Sequence, residues 1–203
     1  MKKGKLVLLI GPSGVGKSVI LKKLREKHPD LHFPRSATTR QRRLHESDDL
    51  YRFITESVFD EYIRDGRLIE WATVHGGARY GTLKDEIIPF IEQGKTVVRE
   101  VDVQGFESIQ SDPLFAGTSA PYTLESIFIL PEDKEQLIRR VTKRAPIGDE
   151  ELGRRVRSMD EELRHADLCT AKVINREGKL RETVREVEKF VVGGHDTKKL
   201  EPT

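Results

Sequence analysis

The chain has 203 residues, enough for one full-sized domain that buries about 70% of its unfolded surface without a metal or disulfide staple. Its 36 Lys and Arg stand against 34 Asp and Glu, a net charge of +2, which excludes a protein whose main task is coating nucleic acid. A lone cysteine, Cys169 between Leu168 and Thr170, forms no internal disulfide and reads as a small buried filler in a reducing, cytoplasmic setting. Residues 6–10 are all apolar and lead into a glycine turn, the mark of a buried parallel strand. That run is too short for a signal peptide, and no stretch approaches a membrane span, so no membrane partner is expected. From Ser18, residues Val19, Ile20, Leu21 and Leu24 follow helical spacing until His28-Pro29 ends it. Residues 35 to about 50 are polar and loop-like, and "RSATTRQRR" holds four arginines in nine positions. Charge that dense is either a solvated patch or a device for holding an anion.

"LYRFIT" reads as a strand, "SVFDEYIRDG" as a short helix closed by Gly66, and "LIEWATV" as a strand. "HGGARYGT" is a glycine-rich turn. "LKDEIIPFIEQG" is an amphipathic helix with Leu83, Ile87, Ile88 and Ile91 on one side and Gly94 as its stop. "KTVVREVDV" and "LESIFIL" are two more strands, separated by a helical piece and a loop. Pro131 begins a long, highly charged helical region, "AKVINR" is a last strand, and Leu180, Val184, Val187 and Val191 mark a final helix before a polar tail. Strands alternating with helices imply a mostly parallel α/β sheet.

"GPSGVGKS" fits G-x-x-x-x-G-K-[ST] and lies between a buried strand and a helix, where a phosphate-binding loop must lie. In that reading Gly11, Pro12, Ser13, Gly14, Val15 and Gly16 curl so that their N–H groups face phosphate oxygens. The positive end of the helix adds to them. Lys17 reaches the β- and γ-phosphates of ATP, and Ser18 offers a hydroxyl to Mg²⁺. The acceptor of the phosphoryl group stays open at this point: water, a small molecule or a coupled motion. In "TVVREVDVQG" Arg99 keeps the strand from being a clean apolar run. Period-two alternation puts Val98, Glu100 and Asp102 on one face, so Glu100 and Asp102 are candidate metal carboxylates.

Three segments together resemble guanylate kinase, in the nucleoside monophosphate kinase group: the phosphate loop, "SATTRQRRLHESDDLYRF" and "LIEWATVHGGARYGT", with "VDVQG" and "IFILP" in order downstream. The resemblance covers about residues 5 to 190. It implies a P-loop nucleoside monophosphate kinase fold: a core at 1–34, 82–130 and 161–192, a GMP-binding insert at 35–81, a helical lid at 131–160 and a polar tail at 193–203. It implies transfer of phosphate from ATP to GMP, with dGMP a possible second acceptor and no nucleic-acid partner. Arg40 and Arg43 would grip the GMP phosphate with planar forks, Tyr51 and Tyr80 would donate hydroxyls to it, and Glu70 would accept from the guanine edge. Ser36 and Thr82 would supply hydroxyls toward O6, and Asp102 would lie near base and metal. Arg140, Arg144 and Arg155 are the lid arginines that would reach transferred oxygens, with Lys17 and Arg40 completing the catalytic set. Asn175 matches a position near the adenine pocket. Trp71 reads as core packing, and Arg35 and Arg42 as solvated charges.

The sequence also departs from the family pattern. His45 and Leu50 replace a Gly and an Asp in a loop that is one residue short, "HGGARYGT" is one residue long, and Glu100 and Ala145 replace an aspartate and a glycine. Two rival readings are a catalytically weak phosphopeptide-binding module of the same fold and a kinase of another small phosphate. The intact Lys17 and Ser18 weigh against the first, and Glu70 with Ser36 and Thr82 against the second.

Overall fold

Five consecutive apolar side chains at residues 6–10 are wholly buried, so the strand that carries them must be covered on both faces. A computed structural model of the chain describes residues 3–44, 46–74, 77–144 and 148–193, without the side chains of Arg144, Asp149 and Glu151. His45, Ala145, the "HG" of "HGGARYGT" and the tail from 194 onward lie outside the described residues. In chain order the elements of the first half are β1 (Lys5–Ile10), α1 (Lys17–Lys27), β2 (Ser36–Thr38), β3 (Tyr51–Phe53), α2 (Glu56–Arg64), β4 (Leu68–Thr73) and β5 (Arg79–Leu83). The second half adds α3 (Ile88–Glu92), β6 (Thr96–Glu100), α4 (Val103–Ser111), β7 (Thr123–Pro131), α5 (Lys134–Arg144), α6 (Asp149–Leu163), β8 (Ala171–Asn175) and α7 (Leu180–Val191).

The core sheet has the order β6-β1-β7-β8, with every pairing parallel. Alternation along β1 splits the apolar core in two. Val7 and Leu9 pack with Ile20 and Leu24 of α1, Leu137 and Val141 of α5, and Val184, Val187 and Val191 of α7. Leu6, Leu8 and Ile10 pack on the other side with Ile87, Ile91, Phe106 and Ile109. Helices therefore cover both faces, as expected for a parallel sheet. No helix among the described residues is long and apolar enough to cross a membrane.

A second, mixed sheet has the order β3-β2-β5-β4 and is built from residues 36–83. One face is covered by α2, whose Phe59 is wholly buried with Ala37, Leu68 and Leu83. Arg79 pins this helix by ion pairs to Glu56 and Asp60, with its guanidinium 4.6 Å from the Phe59 ring centroid.

Several expectations are corrected. Residues 36–38 form a strand inside the predicted loop, and "RYGTL" is a strand where a turn was expected, because each pairs across the second sheet. The predicted helix from Leu83 is broken: Leu83 belongs to β5, residues 84–86 form a 3-10 turn, and α3 covers only Ile88–Glu92, with Pro89 in its first turn. Asp102 is not on the strand; β6 ends at Glu100, and Asp102 caps α4, its Oδ1 accepting from Gly105 N–H at 2.7 Å. Trp71 is 47% exposed, its ring meeting Phe59 edge-on. Arg35 is not simply solvated: it donates twice to the buried Glu86, at 2.6 and 3.0 Å. Arg42 is exposed beside Asp48, and Cys169 is half-buried against the second apolar cluster.

Candidate active site

The phosphate loop is held open by glycines where a side chain cannot fit. Gly11, Gly14 and Gly16 have φ of 142°, 85° and 108°. A Cβ on Gly11 would lie 2.5 Å from Ile129 O, and one on Gly16 would lie 2.6 Å from Asn175 Nδ2. Helix α1 then starts at Lys17 with no side-chain cap, so its first N–H groups stay available to a ligand. Lys17 Nζ donates to the carbonyls of Gly11 and Pro12, at 2.5 and 3.2 Å. Burial pushes its ammonium below the ordinary lysine value, with Glu100, Glu162 and Asp102 opposing the shift. Ser18 Oγ donates to Glu100, 2.9 Å from Oε2 and 3.1 Å from Oε1.

These groups line a cavity of about 1040 Å³ that also includes Asp102, Glu107 and His165 and the α6 residues Ser158, Glu161 and Glu162. The α6 carboxylates were not singled out in the sequence, since nothing local separates them from their charged neighbours. Of the predicted lid arginines, Arg140 lies outside the lining: it donates to Val15 O at 3.1 Å and pairs with Glu177 at 3.0 Å. Arg155 is exposed on α6, and the Arg144 side chain lies outside the described residues. Asn175 braces the loop, donating to Val15 O at 2.8 Å while its Oδ1 accepts from Thr183 at 3.1 Å.

The predicted acceptor residues come from four strands, and pairing puts them in one row: Tyr51 opposite Ser36, Ser36 opposite Thr82, and Thr82 opposite Glu70. Thr82 is wholly buried and donates its hydroxyl to Glu70 Oε1. Two positions along β5 from Thr82, and so on the same face, Tyr80 accepts from Arg40 Nε at 3.0 Å. The Arg40 guanidinium lies 5.3 Å from the Tyr51 ring, whose edge meets Tyr80 at 5.9 Å between centroids. Arg40, Tyr51 and Tyr80 are thus gathered at one end of the row, and Arg43 is exposed nearby.

Two residues of this half were missed. Glu46 takes both terminal nitrogens of Arg40, at 2.7 and 3.0 Å, and accepts from Arg43 N–H at 2.9 Å. The hydrogen bonds from Arg40 and from the Arg43 amide lower the Glu46 carboxyl to about 2. Arg99 is 8% exposed, with Nη2 3.2 Å from Ser36 Oγ and 3.6 Å from Glu70 Oε1. Its Nε is buried without a hydrogen-bond partner among the described residues. Desolvation lowers its pKa, with Glu70 and Glu100 opposing. Burying a cation costs several kcal/mol, and a donor left unpaired costs about 1–3 kcal/mol more. The signal for Arg99 was present in the sequence, as a cation that interrupts the apolar run of β6.

The arrangement can hold a polyphosphate at the glycine loop and a second small anion at Arg40, Tyr51 and Tyr80, with Glu100 beside the former. Comparisons with known proteins point to one family. The family model described as Guanylate kinase matches residues 3–193. A guanylate kinase of Nostoc sp. is 37% identical over 173 residues, 85% of this chain and 82% of that protein. Those of Nocardia farcinica and Gloeobacter violaceus are each 37% identical, over 87% and 92% of this chain and 88% and 86% of their own lengths. Among solved structures, guanylate kinase from Anaplasma phagocytophilum shares the fold with a TM-score of 0.69 at 23% identity, covering 94% of this chain and 86% of that one.

Proposed function

The chain belongs to the guanylate kinase family, and from that premise we propose how its own residues transfer the γ-phosphoryl group of ATP to GMP, giving ADP and GDP. The observation that carries the assignment of the acceptor site is the row Glu70, Thr82, Ser36, Tyr51, with the Arg40–Tyr80 pair beside Tyr51. The base lies over Glu70, Thr82 and Ser36, and the phosphate replaces Glu46 on Arg40 and meets Arg43, Tyr51 and Tyr80. ATP occupies the loop from Gly11 to Ser18, where Lys17 gives up two backbone carbonyls for the β- and γ-phosphates. The residues at 35–81 act as the acceptor-binding insert, and those at 131–160, which carry α5 and most of α6, as the lid. Lid closure brings Arg140, Arg144 and Arg155 toward the transferred oxygens and shuts out water that would hydrolyse ATP. Asp102 stands between the two nucleotides.

No strong base is required, because the attacking phosphate oxygen is already anionic, so catalysis is positioning plus electrostatic stabilisation. Magnesium suits the donor set: Ser18 already contacts Glu100, and Asp102 lines the same cavity, all with hard oxygen atoms. Among the described residues no group of three or more His, Cys, Asp or Glu could hold a metal ion. When bound it supplies charge to offset that on the transferring group. A cytoplasmic setting fits the single Cys169. The test is ADP release measured with GMP, dGMP, AMP, UMP or no acceptor. GMP-dependent release is expected; equal release in all five sinks the assignment.

A further inference from the structure

Residues 99 and 100 are adjacent on β6 and point to opposite faces of the core sheet. Glu100 turns to the phosphate loop, where it accepts from Ser18, and Arg99 turns to the second sheet, where it meets Ser36 and Glu70. Arg99 is not part of the phosphate-gripping set; it lies at the base-facing end of the acceptor row. A buried guanidinium with one N–H unpartnered is unfavourable for stability alone. Its position is therefore better explained by what it does to its two neighbours.

We propose that Arg99 is a positioning residue that determines which purine the acceptor site takes. Because Ser36 Oγ accepts from Arg99 Nη2, the hydroxyl proton of Ser36 remains to be donated, and its rotor is fixed with that proton toward the pocket. Thr82 spends its own proton on Glu70 Oε1, on the same side from which Arg99 approaches at 3.6 Å. The two together orient the carboxylate from the protein side, so that Oε2 faces the base. The resulting pattern is one donor at Ser36 and one acceptor at Glu70. A 6-oxopurine with N–H at position 1 matches both. A 6-aminopurine opposes both, with an amine against the Ser36 proton and a bare ring nitrogen against Glu70. The polarity of the site is thus set by a cation beneath it, which the substrate need not touch.

This inference rests on the acceptor site assigned above, and its test separates the two. Arg99→Met keeps the volume and apolar packing of β6 but frees the Ser36 rotor and Glu70. In R99M, kcat/KM for GMP should fall by roughly 10- to 100-fold, mainly through KM, and the GMP-to-AMP ratio should fall at least about tenfold. KM for ATP stays at the wild-type value, since the donor loop is unchanged. Inosine monophosphate, which keeps the 6-oxo group but lacks the 2-amine, should lose efficiency alongside GMP, and Arg99→Lys should restore part of the loss. A folded R99M with a GMP-to-AMP ratio within about twofold of wild type overturns the inference. If R99M shows no cooperative melting, R99K decides on the same ratio: a drop of about threefold or more supports the positioning role, and no drop overturns it. Wild-type protein without GMP-dependent ADP release sinks the acceptor assignment and this inference with it. An active wild type with unchanged ratios in the variants sinks this inference alone.

Discussion

The two halves of the site are built by opposite means. The proposed donor half is eight contiguous residues whose backbone N–H groups would take the phosphates, with Lys17 and the Ser18 hydroxyl at the end. The acceptor half is side chains from four strands, Tyr51, Ser36, Thr82 and Glu70, placed in a row by sheet register. Each half is occupied by the protein's own groups in this structure, Lys17 on the carbonyls of Gly11 and Pro12, and Glu46 on Arg40. The difference teaches where each can be damaged. A backbone cradle fails when a Cβ intrudes or its lysine is lost. A side-chain row fails when one charge or one proton is misplaced.

The largest effect should come from the donor half. Lys17→Ala is expected to lower kcat by about 10³-fold, through loss of charge on the transferring group, with GMP affinity by calorimetry unchanged. Equal loss of GMP binding would show that the halves are not separable. Next, Glu70→Gln replaces an acceptor oxygen with a donor amide, and kcat/KM for GMP should fall by about 10²-fold while ATP binding persists. Near-wild-type GMP activity would remove Glu70 from base recognition.

A smaller effect is expected at Glu46, which takes both terminal nitrogens of Arg40, the proposed phosphate grip. Glu46→Gln should raise KM for GMP by roughly three- to tenfold, with kcat little changed, because Arg40 is no longer presented in place. The pH dependence has a definite sign. The folded carboxyl is lowered from 4.5 to about 2, so its contribution to stability is present above 4.5 and lost as pH falls toward 2. Acid-unfolding curves of wild type and E46Q should therefore converge over that window; parallel curves would remove Glu46 from the linkage. The smallest effect lies outside both halves. Burial raises the Cys169 thiol pKa, so iodoacetamide at pH 8 should label the folded protein several-fold more slowly than the unfolded chain. Equal rates would mean that Cys169 is not packed as described.

The donor half was legible in the sequence because its information is local. Glycines at 11, 14 and 16, then Lys17 and Ser18, behind a run of buried apolar residues, specify the loop without reference to the rest of the chain. The proposed acceptor residues were named by the resemblance, but their placement was not legible. Residues 36–38 and 79–83 look like loop and turn by composition and become strands through pairing across the second sheet. Asp102 illustrates the same limit. Strand alternation extended to it on paper, while in the fold the chain has already turned and its carboxylate caps α4. Arg35 was legible as a charge and not as the partner of Glu86, 51 positions away.

The sequence by itself determined the doubly covered parallel core, the phosphate loop and the chemical types available to the acceptor site. These follow from periodicity, glycine freedom and charge, which act over a few residues. Tertiary structure decided the register of the second sheet, the capture of Arg40 by Glu46 and the burial of Arg99 beneath Ser36 and Glu70. Those depend on contacts between residues tens of positions apart, and no local pattern encodes which of many arginines meets which carboxylate.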